Sequence, residues 1–157
     1  MKKTWKIVVA LVAAACLAVL TVRLSRPGPP KTLGVVNGGL AACPDSPNCV
    51  SSEATDTGHR IAPIVIEGPP EETPRRAKEA LGSLPRTKVV TESPTYIHAE
   101  STSLVFGFVD DVELLIDPGA KVVHVRSASR VGYSDLGVNR GRVEALRAAF
   151  RRAGGGG

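Results

Sequence analysis

The chain has 157 residues, a net charge of +5 and a composition that is 43% hydrophobic but only 4% aromatic. The positive balance points first to nucleic acid. Yet several of the basic residues lie beside an apolar N-terminal run (Lys2, Lys3, Lys6, Arg23, Arg26, Lys31) or on the last helical stretch (Arg147, Arg151, Arg152), and no basic stretch is interleaved with aromatics. Platforms for stacking single strands are therefore missing, no nucleic-acid partner is expected, and the charge is read as a matter of solubility and surface affinity.

Residues 7–22 form an apolar run, preceded by lysines and followed by Arg23, the pattern of an export signal or a signal anchor. At about 1.5 Å per residue the run covers about 24 Å, against a hydrocarbon core of roughly 30 Å. Thr4, Trp5 and Leu24 extend it, and the flanking lysines and arginines can snorkel. Cleavage after Ala13-Ala14-Ala15 would leave too short an apolar region before it, so residues 1–24 are read as an uncleaved membrane anchor. The lysine cluster then stays cytoplasmic and the rest of the chain lies on the exported side, periplasmic or extracytoplasmic. Two strings that look like lipid-attachment sites, at Cys16 and at Cys43, are read as coincidences of an alanine-rich chain.

Residues 25–42 are rich in proline and glycine and show no sustained period, so a linker is expected there, and deleting residues 1–36 is expected to leave a folded soluble domain. Cys43 and Cys49 then enclose the turn formers Pro44, Asp45, Ser46, Pro47 and Asn48. A disulfide closing this loop is expected, worth about 2–3 kcal/mol, and a metal pair is the weaker alternative because no second pair stands at zinc spacing.

Residues 43–153 are read as one domain. Residues 59–67 are β-rich, with Pro63 imposing an edge or a bend. Thr73 is expected to cap a helix with Pro74 in its first turn, and Ala77, Ala80, Leu81 and Leu84 make one apolar stripe before Pro85. Three β-rich runs follow, 87–91 with 96–101, then 106–117, then 121–129, with a turn at Asp117-Pro118-Gly119-Ala120. A helix from about Asn139 presents Val143, Leu146 and Phe150, and residues 154–157 are expected to be a disordered tail. The order β-α-β-β-β-α predicts an α+β two-layer sandwich, a mainly antiparallel sheet with helices on one face.

Strand alternation places Tyr96, His98 and Glu100 on one face, Asp111 and Glu113 on one face of the next strand, and His124, Arg126 and Arg130 on one side of the last. If Pro118-Gly119 is a two-residue loop, Glu113 falls opposite His124 and Asp111 opposite Arg126, while Val112, Leu114, Ile116, Val123 and Val125 face the core. An exposed cross-strand pair contributes about 0.2–1 kcal/mol. Arg126→Ala is therefore expected to spare the melting temperature and to weaken binding of a ligand or partner. Two readings stay open: the solvated side of a sheet, or a ligand-binding or catalytic face, with His98 or His124 acting beside Asp111 or Glu113 in a hydrolase. A metal site of His98, Glu100, Asp111, Glu113 and His124 is opposed by Arg126; no metal and no cofactor is expected.

The densest segment is 125–146, where Arg126, Arg130, Arg140 and Arg142 stand among hydroxyls, Asp135, Asn139 and three glycines. As a site, its arginines and the following helix N-terminus hold an anion, with Tyr133, Asp135 and Asn139 alongside. As plain structure, Gly132 and Gly137 take positive φ, Tyr133 packs and Asp135 or Asn139 caps the helix. No nucleophile–base pair or phosphate loop at diagnostic spacing accompanies it, so the sequence names no reaction and leaves enzyme activity open.

The strings CPDSPNCVSS, HRIAPI, LPRT, YIHAE, FGFVDDVELLID and VRSASRVGYSDLGVNRGRVEALR resemble the DUF1499 family, over about residues 43–150. The resemblance implies a small α+β domain, usually exported or membrane-associated, and adds no reaction. The expected role is a membrane-anchored envelope domain that binds a small anionic ligand or a protein partner through Arg126 to Arg142, with a hydrolase and a structural interaction module as alternatives.

Overall fold

A computed structural model describes residues 2–25 and 27–154. The first element is a long helix, α1 (Lys2–Leu24), in which no residue is buried and which is long and apolar enough to cross a membrane. Two short strands follow, β1 (Val35–Val36) and β2 (Gly39–Leu40), then β3 (Cys49–Ser51) and β4 (Ile64–Val65). A 3-10 turn at Pro70–Glu72 leads into α2 (Thr73–Ser83), four strands β5 (Thr87–Glu92), β6 (Tyr96–Thr102), β7 (Val109–Asp117) and β8 (Val122–Ser129), and the closing helix α3 (Val138–Gly154). The main sheet runs β3-β8-β7-β6-β5, all antiparallel, and β4 pairs with β8 beside β3.

Alternation along the strands builds the core. Ile97, Ala99, Val112, Leu114, Ile116, Val123 and Val125 point to one face, where Ala77, Ala80 and Leu81 of α2 and Val143, Leu146, Ala149 and Phe150 of α3 cover them. The helix-covered side also buries Arg76, whose guanidinium stacks 4.4 Å from the Phe150 ring centroid and donates to the carbonyls of Glu67 and Phe150. The antiparallel α+β sandwich behind an apolar N-terminal helix is thus as expected. The element order is richer: β3 and β4 both precede α2, residues 87–101 make two strands, and Phe106 lies in a loop because β7 begins at Val109. Thr73 is not a cap. The 3-10 turn starts the helix three residues earlier, and the Thr73 hydroxyl is buried without a hydrogen-bond partner. Gly154 closes α3, and residues 155–157 of the expected tail lie outside the described residues.

Two local corrections reposition the outer face of the sheet. The β7–β8 connection holds Pro118 to Lys121, with Lys121 at φ 54° and the Ala120 amide donating to Asp117, so Asp117 pairs with Val122 rather than Ala120. Glu113 therefore sits opposite Arg126, His124 opposite Leu115 and Asp111 opposite Ala128. The slip is by two residues, and since side chains alternate with period two every residue keeps its face.

The second correction concerns the segment read as a linker. Asn37 (φ 52°) and Gly38 (φ 85°) form the left-handed pair of a tight hairpin joining β1 to β2, the turn for which Asn-Gly is the strongest short sequence signal. Leu40 is buried and its amide donates a 2.6 Å hydrogen bond to Glu53. Residues 27–40 form a strap. It reaches the sheet face opposite the helices, where the Gly34 amide meets Glu113.

Candidate functional site

The outer face of β6, β7 and β8 carries two linked ionic groups. In the first, Glu113 receives three donors: Arg126 Nη1 at 3.0 Å, the Tyr96 hydroxyl at 2.8 Å and the Gly34 amide at 2.7 Å. In the second, Asp111 receives a two-pronged contact from Arg130 (Nε at 2.9 Å, Nη2 at 2.6 Å) and a 2.8 Å hydrogen bond from His98 Nε2. Arg130 also donates to Glu100 and to the carbonyl of Pro27. These are not solvated pairs: Glu113 is 0%, Asp111 1%, His98 4% and Arg126 5% exposed. The solvated-face expectation fails because the strap covers what strand alternation alone leaves open.

Burial and pairing compete on these groups. Burial pushes the Asp111 carboxyl up, but the hydrogen bonds from Arg130 and His98 outweigh it and hold the group below its ordinary value of 3.8. Asp111 in turn raises Arg130 above its ordinary value. Burial, then the hydrogen bond to Glu113, raises the Tyr96 phenol. Three carboxylates (Glu100, Asp111, Glu113) face two guanidinium groups (Arg126, Arg130), so both guanidinium groups are engaged and the set offers no spare cation to an anion. One polar atom is left over: Arg126 Nε is buried with no partner.

The remaining candidates are placed one by one. His124 stands apart from the network, its Nδ1 3.4 Å from the Ser52 hydroxyl. Asp135 caps the turn into α3, accepting from the amides of Gly137 (3.0 Å) and Asn139 (2.7 Å), with Gly132 and Gly137 at φ 90° and 83°. Asn139 is fully buried and ties α3 to Ser127, Ser129 and the Asn48 carbonyl. Arg140 donates to the carbonyls of Gly58 and Arg60. Tyr133 is 76% exposed rather than packed. The structure therefore brings together His98, Glu100, Asp111, Glu113, Arg126 and Arg130, and leaves Tyr133, Asp135, Asn139, Arg140 and His124 outside that cluster. Among the described residues no three His, Cys, Asp or Glu side chains are arranged to hold a metal ion.

Sequence reasoning passed over the pair Asp110–Arg142. Both are on the helix side, Arg142 Nη2 lies 2.5 Å from Asp110, and Arg142 also donates to Ser127 and Asn139. Two adjoining clefts open there at one end of the sheet. One of about 380 Å³ is lined by Leu84, Leu104, Asp110, Val138 and Arg142. The other, about 310 Å³, lies between the β6–β7 loop (Ser103, Phe108), the β8–α3 loop (Val131, Ser134) and the start of α3 (Val138). The available signal was that Asp110, the second residue of β7, has the parity of the core face, with Arg142 one turn into α3.

Cys43 and Cys49 are joined by a disulfide with Cα atoms 5.7 Å apart, while Cys16 in α1 is free and exposed. A sulfur so bonded has no thiol for lipid attachment, which removes the Cys43 lipid site. His59 latches this loop, its Nε2 donating to the Ser46 carbonyl (3.2 Å) and Nδ1 to Asp56 (2.9 Å). A family model described as a protein of unknown function, DUF1499, matches residues 39–150. No curated protein matches the chain.

Proposed function

We propose, taking as premise that the chain belongs to the DUF1499 family, that it is a membrane-anchored domain on the exported side that works by non-covalent binding, with α1 retained as its anchor. The observation that carries this reading is the contrast between the two charged regions. The outer-face network has both guanidinium groups engaged and lies under the strap, whereas the clefts around Asp110 and Arg142 are open. A small group entering the larger cleft meets the Asp110–Arg142 ion pair and apolar walls from Leu84, Leu104 and Val138, the mix of a few polar groups in an apolar setting that small-ligand sites use.

The hydrolase reading has one observation in its favour, the His98–Asp111 hydrogen bond. Neither residue lines the open clefts, and neither Ser nor Cys is bonded to His98 among the described contacts. Binding is the reading we carry forward.

Two experiments test it. Full-length protein in membranes should resist extraction by carbonate; release into the supernatant removes the anchor. Amide chemical-shift titration of full-length protein in nanodiscs with inorganic phosphate and with citrate should move Ser103, Asp110 and Arg142. Shifts confined to residues around His98, with turnover of ester substrates, would replace the binding reading by the enzymatic one.

A further inference from the structure

The end of the sheet that carries the clefts is unusually apolar on its outside. In the β6–β7 loop Leu104 is 67%, Phe106 46% and Phe108 40% exposed, and Phe106 and Phe108 stack with ring centroids 5.5 Å apart. In the β8–α3 loop Tyr133 is 76% and Leu136 94% exposed, and Val138, the first residue of α3, is 53% exposed. Scattered exposed apolar side chains need no explanation, but two neighbouring loops that both present them do. Leu136 also holds φ 54°, a left-handed conformation that a bulky residue rarely adopts and that projects it from the turn.

The same end meets the anchor. Arg23, in the last turn of α1, donates to the carbonyls of Leu104 (2.7 Å) and Val105 (3.0 Å). Arg130, at the root of the second loop, donates to the Pro27 carbonyl just beyond α1. The apolar loops thus lie where the chain leaves the apolar helix, and Arg23 sits at the level where a helix-end arginine meets lipid headgroups.

We propose that these two loops form a membrane-docking tip, with Leu104, Phe106, Tyr133 and Leu136 seated in the interfacial layer of the bilayer that holds α1. This rests on the anchored reading above and adds the orientation of the domain: clefts toward the lipid, β7–β8 turn away from it. The occupant is lipid rather than a second protein because the patch is continuous with α1 through Arg23. Aromatic and leucine side chains projecting from loops are also the groups that partition into an interface.

The test uses full-length protein in phosphatidylcholine–phosphatidylglycerol vesicles, labelled with an environment-sensitive dye at single thiols. Cys16 reports the anchor. In a Cys16→Ser background, Leu104→Cys and Leu136→Cys report the tip, and Lys121→Cys, at the opposite end of the sheet, is the distal control. All three introduced positions are exposed, so the core is untouched. Lipid-borne doxyl quenchers should reduce the dye signal at 104 and 136 by about twofold or more relative to 121, with aqueous iodide showing the reverse order. If Cys16 is quenched by lipid while 104 and 136 behave like 121, the anchor stands and the docking tip is refuted. If 104 and 136 are shielded from iodide yet unquenched by lipid, a protein covers the patch and the proposal fails. If Cys16 itself is not quenched, anchor and tip fall together.

Discussion

The backbone amide of Gly34 donates a 2.7 Å hydrogen bond to Oε1 of Glu113, a residue 79 positions further along the chain and wholly buried. That contact turns a stretch with the composition of a spacer into part of the domain. It also closes over a carboxylate that already holds Arg126 and Tyr96, so a surface that could have served chemistry contributes to the fold instead.

Arg126→Ala should therefore unfold the domain at much lower temperature, contrary to what an exposed pair opposite Asp111 would give. Removing one partner of a buried pair leaves the other charge uncompensated, at about 3–5 kcal/mol. Glu113→Gln in the same chain should recover part of the loss. Chemical denaturation of the single and double variants measures both, and a single variant as stable as wild type would show that the pair carries little.

Truncation separates anchor from strap. A chain lacking residues 1–24 should melt close to the full-length domain, while one lacking 1–36 should lose about 1.5–3 kcal/mol, the value of a hydrogen bond to a charged group, and expose the outer-face network. Equal stability of the two forms would return residues 25–36 to the status of a spacer.

Acid should act through Asp111. Its folded-state value lies below the ordinary 3.8, so its contribution is present above that value and is lost as pH falls through the depressed one. Unfolding free energy should hold from neutral pH to about pH 5 and decline below it, and Asp111→Asn should flatten that decline while lowering stability at neutral pH. An unchanged slope in the variant would assign acid lability to other carboxylates.

His59 works in the opposite sense. Its hydrogen bond to Asp56, then that to the Ser46 carbonyl, raises it above the ordinary 6.5. The stabilisation is complete below that value and is lost as pH rises through the elevated one. Ring-proton NMR should give a midpoint above 6.5 that drops back in Asp56→Asn. A midpoint at or below 6.5 in the wild type would mean that the latch is not formed.

Mass mapping without reductant should recover Cys43 linked to Cys49 and Cys16 as a free thiol. Replacing both linked cysteines by alanine should cost about 2–3 kcal/mol by the loop-entropy estimate. Recovery of free thiols at 43 and 49 from exported protein would remove both the bond and the compartment it supports.

What could be read from the residues, and what could not, divides along range. The helix stripes (Ala77 to Leu81, Val143 to Phe150) and the face of each strand follow from local period, and the structure keeps them. The register of β7 on β8 did not follow, because it depends on whether Lys121 enters the left-handed region, and Lys gives no sign of doing so. Asn37-Gly38 did announce a hairpin, but its flanks are only Val35-Val36 and Gly39-Leu40, too short for alternation to stand out against the surrounding prolines and glycines. Burial of Glu113, Asp111 and Arg126 was illegible for the same reason: the cover is supplied by residues 27–40, far away in the chain.

The place of β8 between β7 and the edge formed by β3 and β4 has a consequence in time. β3 and β4, drawn from residues 49–65, find their pairing partners only in residues 122–128, and Asn48 is held by Asn139. β3 and β4 thus wait without their partner strand until nearly the whole chain has been made. Contacts of such long separation slow folding. A nascent chain stalled before residue 122 lacks the strand that β3 and β4 join, so this edge of the sheet is completed late.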